Sequence, residues 1–545
     1  MPSQKQINDA LWSACDALRG PVDPAEYKDF VLPMIFYKYA SDYVRDQREG
    51  FEAQYAGRDD AEQLVARKLG RLPLQVPAGS SFYDIIEGTT WADADGEPVV
   101  VPPAEHNDQL GETLNEAFAQ MEEANGERLD NVFQGVDFNS DAKLGETRER
   151  NERLRALLRA FNRPVLDLRP SKLESVDLVG EGYMYLIEKF AETAGKKGGE
   201  FFTPPSVTEL LATVLDPKPG ERIYDPTLGS ASLAIAVAEH VRKAYRSDDF
   251  SLWGQEVNSR TWSLAQMNAV LHDLPGAHFE RGDTLATPKH LKDGALMQFD
   301  VVVANPPFSL KDWGYKRAAE DKETFDRYHR GMPPKTRGDF GFISHMIASA
   351  AEDGGRVGVV VALGVLFRGG AEGRIRQALV EEGLLEAVIG LPEKLFYGTG
   401  IPAAILLFRK GRDTKDVLFI DASAEEHFDG GTRQNKLTEG AIRQVAETVQ
   451  AFRADPEGFE SVDKYAHRAG LAEIEENGFN LNIPRYVDTS EPEPEVDLKK
   501  VQGTIRQLER ELAAVRQEMA GALDALGLSF EDDEADAATN GHATA

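Results

Sequence analysis

Apolar and polar positions along this chain change their period twice, and each change marks a different kind of structure. Up to roughly residue 165 the apolar residues recur at helical spacing. Tyr27, Phe30, Val31, Met34 and Ile35 share one face, so that face must be buried, and Pro33 is expected to kink the helix. Asp23-Pro24-Ala25-Glu26 reads as its start: an N-cap aspartate, proline at the first helical position and a glutamate three residues after the cap. This region groups no nucleophile with a base, and its default role is structural. From about Asp177, helical stretches alternate with short apolar runs: Arg222-Ile223-Tyr224, Leu252-Trp253-Gly254, Val301 to Ala304, Val357 to Ala362, Ala387 to Gly390 and Ala403 to Phe408. Strands separated by helices imply crossover connections and a mostly parallel, doubly wound α/β sheet.

After the acidic, proline-containing segment Val487 to Asp497 the period changes again. Leu498, Val501, Ile505, Leu508, Leu512, Val515, Met519, Ala522 and Leu526 alternate spacings of three and four, the seam of a coiled coil. Such a stripe packs on its own domain or on a helical partner, and its length and narrowness favour the partner. Beyond Leu528 the tail is acidic and rich in small residues, so it is expected to be disordered. Its Asp533-Glu534-Ala535-Asp536 spells a helicase signature that an acidic tail produces by chance, and no phosphate-binding loop accompanies it. The expected division is a helical domain over 1–165, an α/β domain over 166–487, a partner-docking heptad helix over 488–528 and a tail over 529–545.

Composition narrows the class. A chain of 545 residues is too long for one ordinary core, and 41% hydrophobic with 28% charged residues suits a soluble globular protein. The longest apolar stretch, Val357 to Phe367, is too short to span a bilayer, and the first residues lack the apolar core of a signal peptide, so no membrane partner is expected. Cys15 is the only cysteine, which excludes an internal disulfide and a thiolate metal cluster and fits a reducing cytoplasm. A net charge of −31 argues against a chain that grips DNA unaided. The local exception is Lys311 to Arg337, with eight Lys/Arg against five Asp/Glu, although a solvated loop would read the same way.

Candidate chemistry concentrates at strand ends. The run Val301 to Ala304 stops at Asn305-Pro306-Pro307-Phe308, because proline can neither continue nor donate to a ladder. That places an amide, a bare prolyl carbonyl and an aromatic face at the carboxyl edge of a sheet, where α/β proteins bind ligands. Two acceptors and a stacking face suit an exocyclic amine on a planar ring. Asp225-Pro226-Thr227-Leu228-Gly229-Ser230-Ala231-Ser232 follows the first strand and opens a helix near Ala231, with small residues that let backbone N–H groups approach a ligand. Glu256 ends the second strand, placed to accept both hydroxyls of a ribose. Gly282-Asp283-Thr284 supplies a carboxylate that could accept from an adenine amino group. Upstream, Gly198-Gly199-Glu200-Phe201-Phe202-Thr203-Pro204 offers a glycine turn, two aromatics and a hydroxyl before a helix. Each alone is weak; their joint order is not.

In these motifs the chain resembles the N6-adenine DNA methyltransferases, and more closely the modification subunits of type I restriction-modification systems. Asn305-Pro306-Pro307-Phe308 is similar to that family's catalytic motif, and the Phe-Thr-Pro and Asp-Pro-Thr-Leu-Gly-Ser elements to its S-adenosylmethionine motifs. Leu11-Trp12 through Asp42, Tyr183 to Ile187 and Asn482-Ile483-Pro484-Arg485-Tyr486 extend the resemblance over nearly the whole chain. Ser232 departs from it, where the family often has another glycine. The resemblance implies a doubly wound S-adenosylmethionine-dependent fold, no metal, and a cofactor site formed by Gly199, Glu200, Phe201, Phe202, Thr203, Pro204, Pro205, Asp225, Pro226, Gly229, Ser230, Ala231, Ser232 and Glu256, with Asp283 at the adenine. It also implies a catalytic set of Asn305, Pro306, Pro307 and Phe308. Implied partners are DNA, a specificity subunit that reads the sequence, a second methylase subunit and, where a system has one, a restriction subunit. Two other readings stay open: a protein or RNA N-methyltransferase, and an assembly subunit that keeps the fold without catalysis.

Overall fold

The short apolar runs become strands of a nine-stranded mixed sheet in the computed structural model. Residues 1–18, 26–92, 95, 97–175, 177–194, 202–274, 276–320, 324–397, 400–432, 434–489 and 498–528 are described. The strands are β1 (Arg222–Asp225), β2 (Ser251–Glu256), β3 (Ala277–Arg281), β4 (Val301–Ala304), β5 (Arg356–Ala362), β6 (Leu385–Gly390), β7 (Ala403–Arg409), β8 (Val417–Asp421) and β9 (Ala466–Ala469). Their order across the sheet is β9-β8-β6-β7-β5-β4-β1-β2-β3. From β5 to β3 all neighbours are parallel. β7 inserts antiparallel between β5 and β6, β8 runs parallel to β6, and β9 closes the edge antiparallel to β8.

Period-two alternation splits the core into two layers. Val301 and Val303 of β4 point to one face with Val360, Ile389 and Ile405, and there they meet helices α4 (Pro205–Leu215), α5 (Ser232–Tyr245) and α9 (Glu439–Ala454) through Leu211, Val237 and Val445. Val302 and Ala304 point to the other face with Val359, Val388 and Leu406, against Phe340 and Ile343 of α7 (Asp339–Ala348) and Leu379 of α8 (Ala371–Glu381). All four residues of β4 are buried, as a parallel strand covered on both faces requires. The expected doubly wound α/β architecture is therefore present, mostly parallel with β7 and β9 as the antiparallel members. Helices α1 (Gln4–Ala14), α2 (Lys28–Gln54) and α3 (Asp177–Ala194) join the first layer: Leu11, Ile35 and Ile187 lie in the same cluster as Val237. The described residues up to Asp488 form one compact unit, and Thr489–Ala545 form a second.

Several elements differ from the sequence reading. β8 and β9 were not anticipated: β9 reads Ala-His-Arg-Ala, without an apolar run, and exists because β8 offers it a ladder. Within the helical region, Thr89–Ala92 pairs antiparallel with Pro98–Val101, a ribbon too short to show a period. Helix α2 continues through Pro33, near its N-terminal end. The Asp23-Pro24-Ala25 cap lies outside the described residues, and the described helix starts at Lys28. A charge that sequence left unexplained is Lys38, buried in α2, which pairs with buried Asp42 and donates to the Tyr83 hydroxyl at 3.1 Å. The heptad segment forms α10 (Leu498–Ala525), and Val501, Ile505, Leu508, Leu512, Val515 and Met519 along its seam are exposed. The acidic tail lies outside the described residues. Among those described, no helix is long and apolar enough to cross a membrane.

Candidate active site

Strand order reverses at β1: the chain passes through β2 and β3 on one side and through β4 and β5 on the other. The crevice outside the carboxyl ends of β1 and β4 is therefore a topological switch point. Asp225 ends β1 there, and Asn305 follows the last residue of β4.

The turn from β1 into α5 is built on two left-handed residues, Gly229 at φ 58° and Ala231 at φ 65°. The second is costly for a residue with a Cβ, so the turn must be held from outside. The end of β2 does this: Leu228 N–H donates to the Gln255 carbonyl at 3.0 Å, and Gly229 N–H to Glu256 Oε2 at 2.9 Å. Leu228 also packs over Gly254, where a Cβ would come within 2.6 Å of its side chain. Glu256 Oε1 accepts from Asn258 N–H at 2.8 Å, so both of its oxygens already hold backbone. Asp225 is 1% exposed and accepts from Thr227 N–H at 2.9 Å. Burial, and then the nearby charge of Glu256, push its carboxyl up to about 7. Burial likewise raises Glu256. Buried beside them is the Ser230 hydroxyl, which has no hydrogen-bond partner.

The Phe-Thr-Pro element meets this turn from above. Phe202 is buried, its ring 5.9 Å from that of Tyr397. Thr203 N–H donates to Ser232 Oγ at 3.4 Å, at the first turn of α5, and Pro205 opens α4. The decisive contact is Asn305 Nδ2 donating to Thr203 Oγ1 at 3.2 Å. It joins segments 102 residues apart and leaves Asn305 Oδ1 as a free acceptor. Pro306 is buried, Pro307 and Phe308 half-buried, and the Phe308 ring sits edge-on to Phe396 at 5.9 Å. The structure thus brings together Phe202 to Pro205, Asp225 to Ser232, Glu256 and Asn305 to Phe308. Asp283 is exposed beyond β3, behind Gly282 N–H, which donates to the Glu256 carbonyl at 2.9 Å. Its Oδ1 accepts from Leu285 and Ala286 N–H at 2.9 and 3.0 Å. Gly199, Glu200 and Phe201 lie outside the described residues.

Phe396 and Tyr397 escaped the sequence reading. They follow β6 as the other site loops follow their strands, and that position was the available signal. The basic stretch after Phe308 is only partly free: Arg327 is buried and donates to the carbonyls of Thr284 and Leu285 at 3.2 and 2.8 Å, and Arg330 pairs with Glu382 at 2.6 Å. Lys311, Lys316, Lys335 and Arg337 are exposed. Chemically, two buried carboxylates, an unpartnered hydroxyl and a turn without basic residues suit a nucleoside with hydroxyls and positive charge; a pyrophosphate would meet repulsion.

Residues 174–495 match the family described as N-6 DNA Methylase, and residues 7–161 match the HsdM N-terminal domain. The chain is 29% identical to the methylase subunit of a type I restriction enzyme from Mycoplasma pneumoniae, over 96% of this chain and 97% of the relative. It is 31% identical to that of a type I enzyme from Haemophilus influenzae, over 70% and 84%. Among solved structures it superposes on a type I restriction-modification methyltransferase subunit from Streptococcus thermophilus with TM-score 0.75 and 31% identity, covering 89% of this chain and 100% of that one.

Proposed function

The chain belongs to the N-6 DNA methylase family as a type I modification subunit that methylates adenine at N6 in DNA, and within that activity we propose that Asn305 Oδ1 and the Pro306 carbonyl accept the two hydrogens of the target amine while Phe308 stacks on the base. The amine is a poor nucleophile because its lone pair is delocalised into the ring. Two acceptors favour pyramidal nitrogen and free that lone pair for in-line attack. S-adenosylmethionine, when bound, supplies the methyl carbon on a sulfonium. Glu256 holds its ribose hydroxyls, Asp225 and the unpartnered Ser230 hydroxyl of the Gly229 turn face its polar end, and Asp283 Oδ2 takes the adenine amine. Phe202, Thr203, Pro204 and Pro205 cover it; Gly199, Glu200 and Phe201 belong to the same sequence element. The base must leave the duplex at a cost of a few kcal/mol, and stacking of about 1–3 kcal/mol on Phe308 offsets much of that.

The Asn305–Thr203 hydrogen bond carries this reading, because it ties the amine-binding amide to the cofactor element. In the same proposal residues 1–165 form a helical domain, and residues 488–528 dock on a specificity subunit that reads the DNA sequence. A second methylase subunit and, where present, a restriction subunit complete the complex, which acts in the cytoplasm. Methyl transfer from labelled S-adenosylmethionine to unmodified DNA, with and without the specificity subunit, tests it. N6-methyladenine formed only in the complex is the expected product; a methylated protein or RNA, or none, would overturn it.

A further inference from the structure

Directly after Phe308 the backbone turns left-handed: Ser309 has φ 53°, a region that favours glycine. A serine stays there only when its surroundings over-determine it. Two side chains converge on it. Asp339, the first residue of α7, accepts the Ser309 N–H on Oδ1 at 3.0 Å, and Arg368 Nη2 donates to the Ser309 hydroxyl at 3.2 Å. The two also grip each other, Arg368 Nη1 lying 3.4 Å from Asp339 Oδ2 and 3.4 Å from Glu372 Oε1. Arg337 approaches the second oxygen of Glu372 at 3.9 Å. Asp339 and Glu372 are 4% and 1% exposed, and burial raises the Glu372 carboxyl. Gly364 leaves room for the guanidinium: a Cβ there would lie 2.5 Å from Arg368 Nε.

Burying two carboxylates costs stability unless they are paired and hydrogen-bonded, as Arg368 pairs both here. Here the network ends on the one backbone unit that follows the stacking aromatic. We propose that Asp339 and Arg368 are positioning residues, holding the left-handed turn at Ser309 so that Phe308 stands at stacking distance from a base seated on Asn305. This rests on the reading of Phe308 as the base-stacking face. The side-chain hydrogen bonds of both end on Ser309, on each other and on Glu372, none on a residue assigned to the amine or the cofactor, so their removal should misplace the ring and slow transfer without weakening the cofactor.

The test uses the full chain in complex with its specificity subunit, unmodified DNA and labelled S-adenosylmethionine. Asp339→Ala should lower turnover ~100-fold, the loss that follows from ångström-scale misplacement, with cofactor affinity unchanged by calorimetry. Asp339→Asn keeps the acceptor for Ser309 N–H and should lose less. The discriminating variant is Ser309→Gly: glycine adopts the turn without help, so Asp339→Ala/Ser309→Gly should recover most of the lost turnover. If Asp339→Ala does not fold, Arg368→Gln with and without Ser309→Gly gives the same comparison. Wild-type turnover in the single variants, or equal loss of cofactor binding and turnover with nothing recovered by glycine, overturns the positioning role. Absence of methyl transfer by the wild-type complex would instead overturn the parent assignment.

Discussion

Val301 to Ala304 and the seam of α10 both read as apolar stripes, and they end in opposite states. Every residue of the strand is buried between β1 and β5, and the amide that follows it finds a partner in Thr203. Along the helix, Ile505, Leu508, Leu512 and Val515 stay 50, 58, 52 and 59% exposed. The first stripe is covered by its own chain, and the amide at its end is tied by one hydrogen bond to Thr203. The second has the spacing of a packed seam, yet its described residues stay exposed, and an exposed narrow stripe of that length is a liability unless something covers it. One region is covered by its own chain on both faces, and the other leaves its apolar stripe exposed.

Substitutions at the two stripes should therefore fail in different ways. Asn305→Ala removes the acceptor proposed for the target amine, and methylation should fall on the order of 1000-fold, with cofactor affinity in calorimetry close to wild type. A parallel loss of cofactor binding would mean that the Asn305–Thr203 bond is chiefly structural. Replacing Leu508 and Leu512 by Asp should weaken subunit assembly ~100-fold or more while S-adenosylmethionine binding survives. Sedimentation and pull-down read the first effect and calorimetry the second. An intact complex would move the partner surface away from α10.

How well sequence exposed each region follows from where its information lies. The strands feeding the site were legible because short apolar runs between helical stretches need no alternation to be noticed, and Asn305, Asp225 and Glu256 stood out as candidates because each ends or directly follows such a run. The heptad seam was legible for a different reason: its period is long enough to count. β9 was not, since Ala-His-Arg-Ala becomes a strand only through its pairing with β8. Nor was the Lys38–Asp42 pair, which depends on α2 being covered by residues more than forty positions away, such as Tyr83. The support of Ser309 by Asp339 and Arg368 spans 30 and 59 residues, and no local pattern announces it.

Within the site, Glu256 sharpens the contrast because backbone already occupies both of the oxygens proposed to hold the ribose. Glu256→Gln should weaken S-adenosylmethionine by about 1.5–3 kcal/mol, the worth of hydrogen bonds to a charged acceptor, and should also loosen the Gly229 turn. Calorimetry reads the affinity, and a lower thermal midpoint in the ligand-free protein reads the turn. An unchanged dissociation constant would remove Glu256 from the ribose. The same substitution leaves α10 assembly untouched, which separates it from the leucine variants.

The smallest effect is one of pH. Burial and the neighbouring Glu256 charge hold the Asp225 carboxyl near 7 in the ligand-free protein. The carboxylate is the form that accepts from a donor on the cofactor, so binding should release a proton as pH falls through about 7. The sign follows: affinity is full above that value and declines below it, because the protonated carboxyl must first ionise. For a group titrating near 7, the ionised fraction drops ~10-fold between pH 8 and 6, and the association constant should drop by the same factor. Asp225→Asn should flatten the profile. Glu256→Gln removes a charge that raises Asp225, so it should shift the break to lower pH without abolishing it. A flat profile in the wild-type chain would show that Asp225 faces no donor on the cofactor and serves the Thr227 turn alone.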